Sequence, residues 1–170
     1  VKILQMTNLN LRLVQTISVN FSISSLCWSP SKHDRFAIVG GDSKIDIWDV
    51  RASKPTMKIE SIGHFLHANW SPCGKYIAAG NSKDVLVVLD AEKGEQVAKV
   101  KCLNQINELA WSINSDHLLI SRQNSDHGGG IFVVNFVAKE GTMREMFEVA
   151  GHAAEATFLK IDNKFENLVV

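Results

Sequence analysis

The chain has 170 residues, of which 45% are hydrophobic and 21% are charged, a composition typical of a globular chain that buries a core. Its 18 Lys and Arg residues balance 18 Asp and Glu residues, so no net charge draws it to nucleic acid or to an anionic membrane. No apolar run approaches the roughly 18 residues of a membrane-spanning helix, and the first residues do not resemble a secretory signal.

The three cysteines, Cys27, Cys73 and Cys102, are odd in number and widely spaced. A disulfide framework favours an even number, and a zinc knuckle needs Cys-x-x-Cys pairs. The sequence has neither pattern. We therefore expect a soluble protein of a reducing compartment, the cytosol or the nucleus.

A repeat of about forty residues organises the sequence. Each copy is an apolar strand that ends in Trp-Ser, followed by a short polar turn and a second apolar strand. Trp28, Trp70 and Trp111 are 42 and 41 residues apart, which matches the roughly 40 to 45 residues of one four-stranded propeller blade. A fainter copy places Ile161 in the tryptophan position. Because each tryptophan ends an apolar strand, we expect all three to be packing residues.

Further strands are predicted between the Trp-Ser turns. The segments KIDIWD (44–49), VLVVLD (85–90) and IFVVN (131–135) are β-branched or aromatic runs closed by a small polar residue. A polar loop and another short apolar run follow each of them. No segment shows helical periodicity over three turns. The sequence therefore predicts an all-β propeller with four strands in each repeat.

The predicted blades divide the whole chain. Residues 1–20 are expected to form the outer strands of a first blade, and residues 156–170 the inner strands of a further blade. Half blades expose strand edges and apolar faces, so we expect the chain to be part of a longer propeller. Complete four-stranded blades are predicted at 23–60, 65–101 and 106–149.

The segment GGDSKIDIWDVR resembles the end of a WD repeat. Asp42 lies in the turn six residues before Trp48, and Asp49 completes the Trp-Asp pair. The resemblance implies a hydrogen-bonded network that joins this Asp and Trp to a Ser or Thr of the preceding strand and to the His of a Gly-His pair. Ile38 stands in the Ser or Thr position, so the network of this blade is incomplete. His152 has the family spacing for the next repeat.

Another Gly-His pair, Gly63-His64, lies only six residues before Trp70. The family spacing is about nine residues. We interpret this pair as a coincidence rather than as part of the network.

Longer stretches resemble the middle blades of the THO complex subunit 3 group of WD-repeat proteins. The most particular run begins at Gly80-Asn81 and continues to Leu89-Asp90, where most WD repeats have Trp-Asp. The resemblance implies a non-catalytic subunit of the THO/TREX complex, which couples transcription and mRNA processing to nuclear mRNA export. It also implies a nuclear location, other THO subunits as partners, and contact with RNA mainly through the complex.

The run SDHGGGIFVV contains Asp126 and His127 before three glycines and is similar to the oxyanion loop of lipases. That loop serves a Gly-x-Ser-x-Gly nucleophile elbow, which the sequence lacks. No dinucleotide, phosphate-loop or His-Glu-x-x-His motif occurs, and the six histidines are scattered over different predicted strands and turns. We therefore expect no enzyme activity, no cofactor and no metal, and we interpret the glycines as a lengthened loop between two strands.

Two other functions stay open. Arg51 follows Trp-Asp, as in WD-repeat substrate receptors of cullin-RING ubiquitin ligases, although a solvated loop charge explains it equally well. A direct RNA-binding propeller is the other alternative. Basic residues such as Lys32 and Arg35 are interleaved with acidic ones, which is more typical of a solvated surface.

Protein–protein recognition is the function that this fold favours. A propeller presents its loops on a rigid disc, so little ordering entropy is lost when a partner binds. The loops between second and third strands should share one rim with the loops that enter the first strands. The predicted partner-binding residues on this rim are Lys44, Lys83, Asp84, Asp126 and His127, and the predicted WD-repeat network residues are Asp42, Trp48, Asp49 and His152.

Overall fold

The computed structural model describes residues 1–7, 10–60, 63–122, 130–149, 159–161 and 168–169. For residues 168 and 169 it describes the backbone alone. All regular structure in these residues is β-strand, and none of it is a helix long and apolar enough to cross a membrane. The strands are β1 (Lys2–Thr7), β2 (Asn10–Thr16), β3 (Ile23–Trp28), β4 (Arg35–Gly40), β5 (Lys44–Asp49), β6 (Met57–Glu60), β7 (Phe65–Trp70), β8 (Tyr76–Asn81), β9 (Val85–Asp90), β10 (Gln96–Lys101), β11 (Ile106–Trp111), β12 (His117–Arg122), β13 (Gly130–Val137), β14 (Thr142–Val149), β15 (Lys160–Ile161) and β16 (Leu168–Val169).

Within the described residues, three antiparallel sheets of four strands follow one another along the chain. They are blade 1 (β3 to β6), blade 2 (β7 to β10) and blade 3 (β11 to β14), each ordered from its first strand to its last. β1 pairs with β2, and β15 pairs with β16, as two-stranded sheets. The prediction of an all-β fold built from four-stranded units is confirmed.

The first strands of the blades lie at the centre of the array. β3 contacts β7, β7 contacts β11, and β11 contacts β15. Each sheet therefore faces its neighbours with both surfaces, and the second and third strands are buried on both faces. Ala79 packs towards blade 1 while the adjacent Ala78 packs towards blade 3. This two-sided burial explains why these strands are continuous apolar runs rather than alternating ones.

The β1–β2 sheet packs against the outer face of blade 1. Ile3 and Ile17 contact Phe36, Ile38 and Trp48 in one buried cluster. Ile38, which replaces the expected Ser or Thr, is fully buried there. Its side chain stabilises the blade by apolar packing instead of by hydrogen bonding.

The serine of each Trp-Ser pair closes the turn that follows it. Ser71 accepts a hydrogen bond at Oγ from the Tyr76 backbone N–H (3.0 Å), and Ser112 accepts one from that of His117 (3.0 Å). Local bonds of this kind between a serine hydroxyl and the backbone are favoured in turns. The recurrence of Ser after Trp is therefore explained by turn geometry.

The three repeated tryptophans differ in burial. Trp70 and Trp111 are each only 4% exposed, whereas Trp28 is 47% exposed and packs against the Phe36 ring, with the ring centroids 5.1 Å apart. Trp111 lies against the preceding first strand through Asn69, and Trp70 lies beside Arg35 of blade 1. In the described part of the chain no first strand precedes β3, so one side of Trp28 is left open.

A candidate protein-interaction rim

The turns between second and third strands form a rim, which is the candidate interaction surface. In blade 1, Asp42 accepts a hydrogen bond at Oδ1 from the Lys44 backbone N–H (3.3 Å). In blade 2, Asn81 accepts bonds at Oδ1 from the backbone N–H groups of Lys83 (3.0 Å) and Val85 (3.1 Å). Side-chain oxygens therefore hold both turns in defined conformations.

Both turns contain a non-glycine residue in the left-handed region. Ser43 has φ 61° in blade 1, and Asp84 has φ 58° at the matching position in blade 2. Such a conformation costs a non-glycine residue roughly 1 kcal/mol or more, although polar residues tolerate it best. These two positions therefore carry polar side chains, which glycine would not provide.

His64 connects the two turns. Its backbone N–H donates to Ser82 Oγ (3.2 Å), and its carbonyl accepts a bond from the Ser82 backbone N–H (2.8 Å). Its ring Nδ1 lies 3.2 Å from Ser43 Oγ of blade 1. The spacing of Gly63-His64 does not fit the family network, yet His64 holds a bridging position between adjacent blades.

The charged side chains of the rim are exposed or half-buried, and several of them form ion pairs between a lysine and a carboxylate. Lys44 lies 3.2 Å from Glu60, and Lys101 lies 3.1 Å from Asp84. Lys101 Nζ also bonds to the Lys83 carbonyl. Within the described residues, no ion pair is formed by the Lys83 ammonium group. Exposed pairs of this kind add little stability.

The predicted WD-repeat network is only partly described. Trp48 is buried, and among the described residues its indole N–H has no hydrogen-bond acceptor. Asp49 lies at the other end of β5, where its carboxylate accepts a bond from the Arg51 backbone N–H (2.8 Å). The structure thus places Asp42 in the rim turn and Asp49 away from it. Asp126, His127 and His152 lie outside the described residues, so their roles remain predictions.

A largely buried ion pair in blade 3 joins the end of β12 to β14, and the sequence does not predict it. Arg122, only 4% exposed, places its guanidinium 2.5 Å from Glu145 Oε1 and 3.5 Å from the centre of the Phe132 ring. Burial, followed by the nearby Glu145 charge, raises the pKa of Cys102 to about 12. The available signal was an arginine directly after the apolar run Leu118–Ile120 and Ser121, since a buried charge needs a partner.

The described part of the chain shows no cluster of side chains typical of a metal site. No group of three or more His, Cys, Asp or Glu side chains there could hold a metal ion. His67 and Glu108, on adjacent central strands, lie 3.7 Å apart, and burial lowers the pKa of His67 while Glu108 partly offsets that effect. Arg51, the residue behind the ubiquitin-ligase alternative, is exposed beside Asp49.

Packed four-stranded antiparallel blades are the architecture of a β-propeller, and comparisons with known proteins find similarity to WD40 domains. A family model described as the anaphase-promoting complex subunit 4 WD40 domain matches residues 47–114. The match covers the second half of β5, β6, all of blade 2 and the first strand of blade 3.

The sequence is similar to that of THO complex subunit 3 of Arabidopsis thaliana. The two are 32% identical over 100 residues, which is 59% of this chain and 32% of the relative. The chain therefore spans about a third of the length of this curated relative.

Solved structures show the same fold at lower sequence identity. A chain in the crystal structure of the mitotic checkpoint complex superposes with a TM-score of 0.78 at 18% identity, over 92% of this chain and 48% of that one. The WD40 domain of Toxoplasma gondii coronin gives a TM-score of 0.63 at 20% identity, over 81% of this chain and 35% of that one.

Proposed function

We propose that this protein is a non-catalytic scaffold that binds other proteins, and that it acts as a subunit of the THO/TREX complex in the nucleus. The sequence similarity to THO complex subunit 3 is the observation that carries the proposal. In that role the chain would help to couple transcription and mRNA processing to mRNA export, with the other THO subunits as its partners. RNA would be reached through the complex.

The rim supports a scaffold role in physical terms. Its turns are held by Asp42, Asn81 and His64, so a partner meets side chains that are already ordered. Pre-ordered contacts lose little conformational entropy on binding. The exposed ammonium group of Lys83 and the carboxylate of Asp84 present both signs of charge, which favours complementary protein surfaces over a uniform polyanion.

The same proposal includes the division of the chain into blades. It has a first half blade at 1–20, complete blades at 23–60, 65–101 and 106–149, and a further half blade at 156–170. In a larger propeller the two-stranded sheets would be completed by neighbouring segments. Such completion would cover the strand edges of these sheets that pair with no other strand among the described residues.

Charge reversal on the rim tests this function. The double variant Lys44→Glu with Lys83→Glu should weaken co-purification of THO subunits, because both side chains lie on the proposed contact surface. The matched control is Lys75→Glu with Lys93→Glu, which makes the same charge change at turns outside this rim. Equal loss of partners in both variants, with melting temperatures unchanged, would refute the rim as the contact surface.

The RNA-binding alternative makes a different prediction. If phosphate contacts dominated, affinity for single-stranded RNA would fall steeply with salt because counterions are released. We expect the purified protein to bind such RNA weakly, with little dependence on salt between low and moderate ionic strength. A steep linear dependence of log affinity on log salt concentration would favour the RNA-binding function instead.

A further inference from the structure

A cleft of about 720 Å³ opens between the outer strands of blades 1 and 2. One wall is β6, and the other is formed by β9 and β10. This volume lies within the range of ligand-binding clefts, roughly 300 to 1,000 Å³. The apolar floor is lined by Ile59, Phe65, Val85, Val87 and Leu89.

The cleft exists because blade 2 carries a small side chain where blade 3 carries a large one. Between blades 2 and 3, Phe132 packs into the core and fills the space. At the matching position of blade 2 stands Val87, which lines the cleft. Blades diverge from the centre of a propeller, so a gap between outer strands stays open unless bulky residues fill it.

The wall formed by blade 2 is cationic. In the β9–β10 ladder Lys99 lies opposite Val87 and Lys101 opposite Val85, and directly paired residues share one face of a sheet. Lys83 also lines the cleft. In blade 3 the positions opposite Phe132 and Val134 are held by Glu148 and Glu145. The two neighbouring gaps therefore differ in charge as well as in volume.

Two of the three lysines have charges that are not neutralised within the described residues. Lys101 pairs with Asp84 at 3.1 Å, and on the opposite wall Glu60 pairs with Lys44 at 3.2 Å. In the part of the chain that the structure describes, neither Lys83 nor Lys99 forms an ion pair. The cleft thus joins an apolar floor to an excess of positive charge, which is complementary to an acidic segment with apolar side chains.

A polynucleotide fits this surface less well. Single-stranded nucleic acid needs exposed aromatic faces on which bases stack. The aromatic ring on the floor, that of Phe65, is only 1% exposed and packs into the core between the blades. The floor therefore suits the insertion of an aliphatic or aromatic side chain rather than stacking.

We propose that this cleft docks a linear acidic segment of a partner protein, which inserts one or two bulky apolar side chains between blades 1 and 2. Lys83 and Lys99 pair with its carboxylates, and the apolar side chains supply most of the binding energy as buried anchors. The inference rests on the proposed role in protein recognition, but not on the identity of the complex.

Selection of random peptides displayed on phage against the purified protein tests this inference. We expect the enriched peptides to combine Asp or Glu with Phe, Leu, Ile or Met. In fluorescence anisotropy with an enriched peptide, Val87→Phe, which fills the cleft as Phe132 fills the next gap, should weaken binding about tenfold or more. Lys99→Glu should weaken it to a similar extent, and the exposed Lys139→Glu on blade 3 should leave it unchanged.

Several outcomes would overturn the proposal. One is the absence of enriched peptides, and another is enrichment without an acidic bias. A third is peptide binding that is unchanged in the variant Lys99→Glu. Because Lys99 is exposed, this substitution does not threaten folding. Self-association that Val87→Phe abolishes would assign the cleft to a second copy, and competition by oligouridine would assign it to RNA. Loss of peptide binding in Lys99→Glu with THO subunits still co-purifying separates this inference from the proposed function.

Discussion

Trp111 donates its indole N–H to the main-chain carbonyl of Asn69, 3.1 Å away, and so ties the first strand of blade 3 to that of blade 2. The matching tryptophan of blade 2, Trp70, is equally buried, but its indole nitrogen has no acceptor among the described residues. Two tryptophans in the same repeat position therefore stabilise the propeller differently.

Replacement of each tryptophan by phenylalanine measures this difference. Both variants lose ring volume, but only Trp111→Phe also leaves the Asn69 carbonyl without its donor. We expect Trp111→Phe to lower the free energy of unfolding by about 1 kcal/mol more than Trp70→Phe does. Urea denaturation followed by circular dichroism gives both values, and an equal or larger loss in Trp70→Phe would contradict the assignment.

The buried pair Arg122–Glu145 should contribute more than any exposed pair. Arg122→Met removes the partner of a carboxylate that is 28% exposed, so we expect a loss of about 2–3 kcal/mol, below the roughly 3–5 kcal/mol of a fully buried pair because Glu145 keeps some contact with water. Lys32→Met is the control, because Lys32 and Glu92 are both at least half exposed and their pair is expected to contribute less than about 1 kcal/mol. Similar melting temperatures for the two variants would show that the Arg122 pair is not a stabilising element.

His67 predicts a pH dependence of stability. Burial lowers the pKa of His67 below its ordinary value of 6.5, so the folded state prefers the neutral ring. The stability that this preference provides is present above pH 6.5 and is lost as the pH falls towards and through the lowered pKa. Denaturation of the protein and of His67→Gln at pH 7.5 and 5.5 should show a smaller loss in the variant. An identical loss in both would exclude His67 as the source.

Asp46 is a polar residue at a position that other blades fill with apolar side chains. It is buried, burial raises its pKa, and one carboxylate oxygen has no hydrogen-bond partner in the described residues. Lys58, at 3.7 Å, compensates only in part. Because Val87 and Phe132 hold the matching positions, we expect Asp46→Val to raise the free energy of unfolding at pH 7 by about 1 kcal/mol. The gain should shrink as the pH falls towards 4, where protonation already relieves the buried charge, and a loss of stability at pH 7 would contradict this account.

The repeat predicts the blade strands well because strands that are buried on both faces appear in the sequence as runs of consecutive apolar residues. Strands at 44–49 and 85–90 are flanked by apolar neighbours on both faces, so their runs of β-branched residues are unmistakable. Contacts between blades are different, because they join residues about forty positions apart. Neither the Arg122–Glu145 pair nor the cleft beside Val87 leaves a pattern in consecutive residues. The exposure of Trp28 likewise depends on whether another strand lies beside β3. The spacing of apolar residues along the sequence does not give that information.

The central claim, that the protein is a scaffold subunit of a THO-type complex, is tested most directly by affinity purification of the protein from nuclear extract with quantitative mass spectrometry. We predict recovery of THO subunits in amounts close to that of the bait, resistant to nuclease treatment. Recovery of a ubiquitin-ligase adaptor and a cullin in their place, or of partners that are lost when RNA is digested, would contradict the claim.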